Sequence, residues 1–221
     1  MPLNVAIDGP AGAGKSTLAK AVAKELNCLY VDTGALYRAV GLYALRQGAD
    51  PDDAYAVVPL LPQIDLQLQF TDGTQRVVLN GEDVSAAIRT PEASSASSKV
   101  SAHPGVRSFL LDLQRGLAAK NDVVMDGRDI GTVILPNARV KIFLTASPEE
   151  RARRRWLELV EKDSFARMED VLSAMLERDA RDSSRDTAPL KPAPDSVLLD
   201  TTGLDFMQSL DKLLEIVHSA G

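Results

Sequence analysis

Residues 9–16 read Gly-Pro-Ala-Gly-Ala-Gly-Lys-Ser and match G-x-x-x-x-G-K-[ST] in full. The run lies between an apolar stretch, Leu3 to Asp8, and a segment from about Lys15 with Leu18, Ala19, Val22, Ala23 and Leu26 at helical spacing. Strand, glycine turn and helix in that order leave few folds open. Gly9, Gly12 and Gly14 permit backbone angles barred to other residues. Consecutive N–H groups then turn inward as an anion nest, and the helix N-terminus adds partial positive charge. Lys15 is expected to reach the β- and γ-phosphates of a nucleotide, and the Ser16 hydroxyl to bind Mg²⁺.

Cys28 to Asp32 reads as a second, buried strand, so the start of the chain is a βαβ unit of a parallel sheet. Val123 to Asp126, Val140 to Leu144 and Val197 to Asp200 fit the same sheet, with a last helix near 204–216. The expected fold class is α/β: a P-loop parallel sheet flanked by helices, a small α+β insertion, and a helical lid. Core segments 1–33, 103–146 and 168–221 would frame the insertion (34–102) and the lid (147–167).

Within the insertion, Tyr37 to Arg46 looks helical. Ile64, Leu66, Leu68 and Phe70 alternate as a half-buried strand, Thr71, Asp72 and Gly73 turn, and Arg76 to Asn80 return. The Ser/Ala-rich residues 93–102 are either a tightly packed helix opened by Thr90 and Pro91 or a solvated loop. In the lid, Ser147, Pro148, Glu149 and Glu150 predict a capping box. Lys162, Asp163 and Ser164 mark a polar break before a helix from about Met168 to Arg181.

The 221 residues include one cysteine, so no intrachain disulfide forms, and a reducing cytoplasm is expected. No apolar run approaches the ~20 residues that span a bilayer, and the first eight residues have no signal-peptide pattern. The net charge of −6 argues against a general nucleic-acid binder. Arginines nevertheless cluster at 151, 153, 154 and 155, and again at 178, 181 and 185, which suits a small phosphorylated ligand. A monomer is expected. His103 and His218 read as surface or capping residues rather than ligands.

Three further constellations gather at predicted strand ends and a helix face. Asp32–Arg38 follows the second strand, where ligands bind in open α/β sheets. Asp126, Gly127, Arg128 and Asp129 end the third core strand. Asp126 is either a partner of Mg²⁺ through water or a turn carboxylate. Arg178, Asp182 and Arg185 share one helix face, as a site or as a surface ion pair. These features favour a small-molecule kinase. A kinase for a non-nucleotide alcohol, with Asp126 or Asp129 as base, and a nucleotide-dependent switch are the competing readings.

The sequence resembles the bacterial cytidylate kinases over nearly its whole length. The matching runs are IDGPAGAGKST (7–17), DTGALYR (32–38), NGEDVSAAIRT (80–90), DGRDIGT (126–132), VKIFL (140–144) and ERDARDSSRDTAPL (177–190). The resemblance implies transfer of phosphate from Mg-ATP to CMP or dCMP. It implies ATP binding by Gly9, Pro10, Ala11, Gly12, Ala13, Gly14, Lys15, Ser16 and Thr17. Ser98, Arg107 and Asp129 would read the cytosine, and Asp182 with Arg178 would hold the ribose. Arg38, Arg128 and Arg185 would grip the acceptor phosphate, with Thr33 and Tyr37 lining the pocket. Arg151, Arg154 and Arg155 would be the lid arginines that act, with Lys15 and Arg128, on the moving phosphoryl group. Thr33 stands where a serine is common, and its hydroxyl is kept. A carboxylate accepts from the cytosine amino group, whereas uracil presents an acceptor there, so UMP is expected to be the poorer substrate.

Overall fold

The computed structural model describes residues 2–71, 73–161 and 165–220. Strand β1 (Asn4–Asp8) is buried from Val5 onward, as a central strand covered on both faces must be. It ends in the glycine turn, from which α1 (Lys15–Glu25) starts. The helix closes with Cys28 N–H donating to Ala23 O, and Asn27 takes a left-handed φ of 52°. That turn holds Cys28 outside β2 (Leu29–Asp32), so it is half-buried rather than a buried strand residue.

Helix α2 (Thr33–Arg46) begins directly at the end of β2, earlier than Tyr37, because the Asp32 side chain caps it by accepting from Ala35 N at 3.0 Å. A short α3 (Ala54–Val57) leads to an antiparallel sheet of β3 (Leu66–Thr71), β4 (Thr74–Leu79) and β5 (Glu82–Asp83). Thr71 pairs with Thr74, which starts the return strand ahead of the expected Arg76. The expected turn residue Asp72 lies outside the described residues. The Ser/Ala-rich segment is a helix, α4 (Pro91–Val100), with Thr90 Oγ1 accepting from Ala93 N at 3.2 Å. Its small residues let it approach α2 closely: a Cβ at Gly41 would lie 2.9 Å from Ala96 Cβ.

Then follow α5 (Pro104–Lys120), β6 (Val123–Gly127), one π-helical turn (Ile130–Ile134), β7 (Val140–Thr145) and α6 (Pro148–Val160). Helix α7 (Met168–Ser184) runs past the expected Arg181, before β8 (Val197–Asp200) and α8 (Phe206–Ser219). Ser147 caps α6 through Glu150 N at 3.2 Å, but the Glu150 carboxylate turns to Arg153 and Arg154 instead of completing the box. The expected break at Lys162, Asp163 and Ser164 lies outside the described residues. His103 occupies the N-cap position of α5, one of the two expected alternatives, though without a side-chain cap bond; it is buried with its Nε2 2.9 Å from Pro51 O, so it is not a surface residue.

Among the described residues the main sheet has the order β2-β6-β1-β7-β8, all parallel. Leu18, Val22, Leu213 and Val217 cover one face through Ile7, Ile142 and Leu144, while Ala118 and Ile134 pack on Val31 and Met125 on the other. A separate core joins α2, the small sheet and α4 through Leu36, Val40, Leu79, Ile88 and Val100, and extends to Leu110 of α5. The small sheet docks beside the free edge of β2, with Leu68 and Phe70 packed on the core around Val31 and one side chain bonding the strand edge. Gln75 Oε1 accepts from Asp32 N at 2.9 Å and its Nε2 donates to Asp32 O at 3.3 Å, standing in for a missing strand. No helix among the described residues is long and apolar enough to cross a membrane.

Candidate active site

The strand order places β1 between β6 and β7, and the turn after β1 opens at their carboxyl ends. Gly9, Gly12 and Gly14 have φ of 149°, 71° and 85°. Space forbids a side chain at Gly9, while at Gly12 the left-handed backbone disfavours one and a flexible methionine end would have to move. A Cβ at Gly9 would lie 1.9 Å from Leu144 O, and one at Gly12 would lie 2.3 Å from Met175 Cε. Gly14 is the α1 N-cap and offers no side-chain cap, which leaves the helix's first N–H groups for a ligand.

Lys15 is buried and its Nζ donates to Pro10 O at 2.6 Å across the turn. Burial lowers its pKa well below the ordinary value, and Arg128 and Arg178 push the same way. Ser16 Oγ donates to Asp126 Oδ2 at 2.7 Å, and Tyr30 OH donates to Asp126 Oδ1 at 2.9 Å. Burial, then the nearby Asp32, raises the Asp126 carboxyl. Thr33 Oγ1 donates to Asp126 O at 2.7 Å, tying the start of α2 to the end of β6.

Opposite the glycine turn stands a cluster of arginines. Arg38 pairs with Asp32 at 2.7 Å and Arg128 with Asp182 at 3.0 Å. Arg185 NH1 donates to Ser101 Oγ at 3.0 Å, and its Nε to Asp182 O at 3.3 Å. Buried donors remain unmet: Arg38 Nε, Arg178 Nε and one terminal nitrogen of Arg185. Burial, then Arg128, lowers the Arg178 guanidinium to about 10, and Arg38 adds to the repulsion. A few ångströms away Arg107 is paired with Asp129 and lies 5.5 Å from the Tyr37 ring centroid. Tyr37, Arg107 and Asp129 line a cavity of about 210 Å³ together with Gln114. Ser98 is buried on α4, where its hydroxyl accepts from Arg181 NH1 at 3.3 Å.

The three lid arginines are placed differently. Arg154 lies beside the last glycine of the turn. Its NH1 lies 3.9 Å from a Cβ built on Gly14, and it is held by Glu150 and by Thr201 O at 2.8 Å. Arg151 is buried and donates to Ala146 O, to Ala11 O and, at 2.6 Å, to Asp179, so it braces α6 and α7 against the glycine turn. Arg155 points outward to Glu158 at 2.8 Å. Asp8, Asp179, Arg89 and Arg181 went unassigned in the sequence reading. Arg89 reaches Asp32 at 3.2 Å. Their roles depend on pairings across the fold, which spacing along the chain does not encode.

The parallel sheet with a glycine-rich turn at the end of its central strand defines a P-loop nucleotide-binding protein of the kinase type. A family model described as cytidylate kinase matches residues 5–219. The cytidylate kinase of Carboxydothermus hydrogenoformans is 49% identical over 215 residues, covering 97% of either chain. That of Solibacter usitatus is 49% identical over 217 residues, covering 97% of this chain and 92% of its own. The crystal structure of an uncharacterized protein from Eubacterium ventriosum superposes with a TM-score of 0.56 at 14% identity, covering 99% of each chain, a likeness of fold alone. The chain belongs to the cytidylate kinase family.

Proposed function

We propose that this protein transfers the γ-phosphoryl group of ATP to CMP or dCMP, giving ADP and CDP or dCDP, without a general base. The observation that carries the reading is the arginine cluster beside the glycine turn: Arg38, Arg128, Arg178 and Arg185 crowd together, and Arg38, Arg178 and Arg185 each keep a buried N–H unmet. Unpaired buried donors and like-charge repulsion are costly, and a phosphate dianion relieves both. Glycine turn and arginine cluster would thus hold donor and acceptor phosphates on either side of one gap.

An acceptor phosphate is already an anion, so no residue need remove a proton. Asp126 is engaged by Ser16 and Tyr30, and Asp129 by Arg107, which counts against either as a base for an alcohol acceptor. The residues near the turn suit Mg²⁺, whose preferred ligands are hard oxygens with several left to water and phosphate. Ser16 and Asp126 supply such oxygens side by side, and they would hold the ion. When bound, Mg²⁺ neutralises charge on the nucleotide phosphates. Lys15 and Arg154 would offset charge developing on the moving phosphoryl group. Arg151 would keep α6 in place over the turn.

Asp129, with Arg107 and Ser98, would read the base, while Asp182 with Arg178 would hold the ribose. Residues 34–102 would carry the acceptor, residues 147–167 would close over the donor, and segments 1–33, 103–146 and 168–221 would form the frame. A cytoplasmic monomer is the working picture. The test is ADP release from Mg-ATP with CMP, dCMP, UMP and AMP in turn. Strong stimulation by CMP and dCMP with weak stimulation by UMP is expected. Indifference to all four acceptors would sink the reading and favour a nucleotide switch.

A further inference from the structure

Asp8 ends β1, one residue before the glycine turn, and nothing so far gives its carboxylate a task. It is 4% exposed. Its Oδ1 accepts from Ile130 N and its Oδ2 from Gly131 N, both at 2.7 Å. These are the first two amides of the π-helical turn, and such leading N–H groups have no partner within their own helix. Arg128 and Asp129 immediately precede them. One side chain therefore joins the strand that feeds the phosphate cradle to the loop that presents the acceptor-side arginine and carboxylate.

The fit is close. A Cβ built on Gly131 would lie 3.4 Å from Asp8 Oδ2, ordinary contact distance, and 3.2 Å from Lys141 Cδ, so the loop lies directly against the carboxylate. Burial pushes Asp8 up to about 6 in spite of both amide bonds, and Asp129 adds to the rise while Lys15 opposes it. An apolar residue would end a buried strand at lower cost. The carboxylate makes no direct hydrogen bond to Lys15, Arg128 or Asp129, so any effect on chemistry passes through the loop.

Resting on the phosphotransfer reading above, we propose that Asp8 is a positioning residue. It sets the register between the donor-phosphate cradle and the loop bearing Arg128 and Asp129. In-line transfer needs the reacting atoms within about 3–3.5 Å, and a misplacement of about 1 Å costs on the order of 10²-fold in rate.

Asp8→Asn keeps the shape but turns an NH₂ toward one of the two amide donors. The expected result is a fall in kcat of about 10²-fold with KM for ATP and for CMP each within about threefold. More ATP should be hydrolysed per CDP formed, because water competes with a misplaced acceptor. Amide exchange at Ile130 and Gly131 should quicken, and the thermal midpoint should fall by only the several degrees that one lost buried hydrogen bond costs, leaving the protein folded at the assay temperature. A folded Asp8→Asn protein with parental kcat and parental hydrolysis ratio would overturn the role. If that variant does not fold, Asp8→Glu keeps the charge on a longer arm, and the same split between kcat and KM decides. Absence of CMP-stimulated ADP release in the parent protein would overturn the phosphotransfer reading and the role together. Loss of kcat parity in the variant alone concerns Asp8.

Discussion

Arg128 Nε donates to Asp182 Oδ2 at 3.0 Å, joining the end of β6 to the last turns of α7. The carboxylate is buried, with Arg178 and Arg185 close enough to act on it. It supplies a counter-charge shared by Arg128, Arg178 and Arg185.

Asp182→Asn should therefore destabilise the protein by about 3–5 kcal/mol, the usual cost of removing one partner from a buried ion pair. Burial alone would raise the Asp182 carboxyl, but Arg128, Arg185 and Arg178 together hold it below the ordinary range. A depressed carboxyl stabilises the fold above its unfolded value of about 3.9 and loses that contribution as pH falls through the folded value. The gap between thermal melts of parent and variant should be full at pH 6–7 and shrink progressively once pH falls below about 3.9. A gap that does not narrow at all as the pH is lowered through that region would refute the electrostatic account.

Lys15→Met removes the ammonium and keeps much of the stem. Turnover should fall by about 10²–10³-fold or more, as for loss of a donor aimed at transition-state charge. Calorimetric binding of CMP should be nearly unchanged, because the proposed role of Lys15 is on the donor phosphates. Equal loss of CMP affinity would place Lys15 in the acceptor site instead.

The arginines of α6 should not behave alike. Arg154→Ala is expected to lower kcat by more than about 10²-fold with little change in KM for CMP, because its guanidinium stands over the turn. Arg155→Ala, whose side chain pairs with Glu158 in solvent, should cost less than about tenfold. Steady-state kinetics on the two variants decides the order, and a larger loss at Arg155 would reverse the assignment.

Glycine substitutions separate steric need from helix propensity. Gly9→Ala forces a Cβ to within 1.9 Å of Leu144 O at φ 149°, so a loss of about 4 kcal/mol or more is expected. Gly116→Ala, in the exposed interior of α5 with nothing within 4 Å, should raise stability by about 0.5–1 kcal/mol. Urea melts of both variants test the pair, and a tolerated Gly9→Ala would contradict the turn geometry.

The strand–turn–helix around residues 9–16 was legible from sequence because its information is local. Glycine spacing, the lysine and hydroxyl that follow, and the period of the flanking apolar residues all lie within one βαβ unit. The alternation from Ile64 to Phe70 likewise declared a strand, and the proline and threonine at 90–91 admitted the helix that the structure shows. Whether that Ser/Ala-rich stretch packs or stays in solvent was not local. It is decided by Gly41 on α2, which permits contact with Ala96. Family resemblance named the acceptor-side residues, but not their partners.

By itself, then, the sequence determined the parallel core, the glycine turn and the family to which the chain belongs. Tertiary structure alone decided which charges meet. It turned Arg151 inward as a brace and left Arg155 in solvent, although the two lie on one short helix. It also brought Asp8 under the loop of Ile130 and Gly131, more than a hundred positions away. The physical reason is that hydrogen bonds and buried charges act over a few ångströms of space. Distance along the chain sets no such limit, so pairings between strands and loops appear only once the sheet has closed.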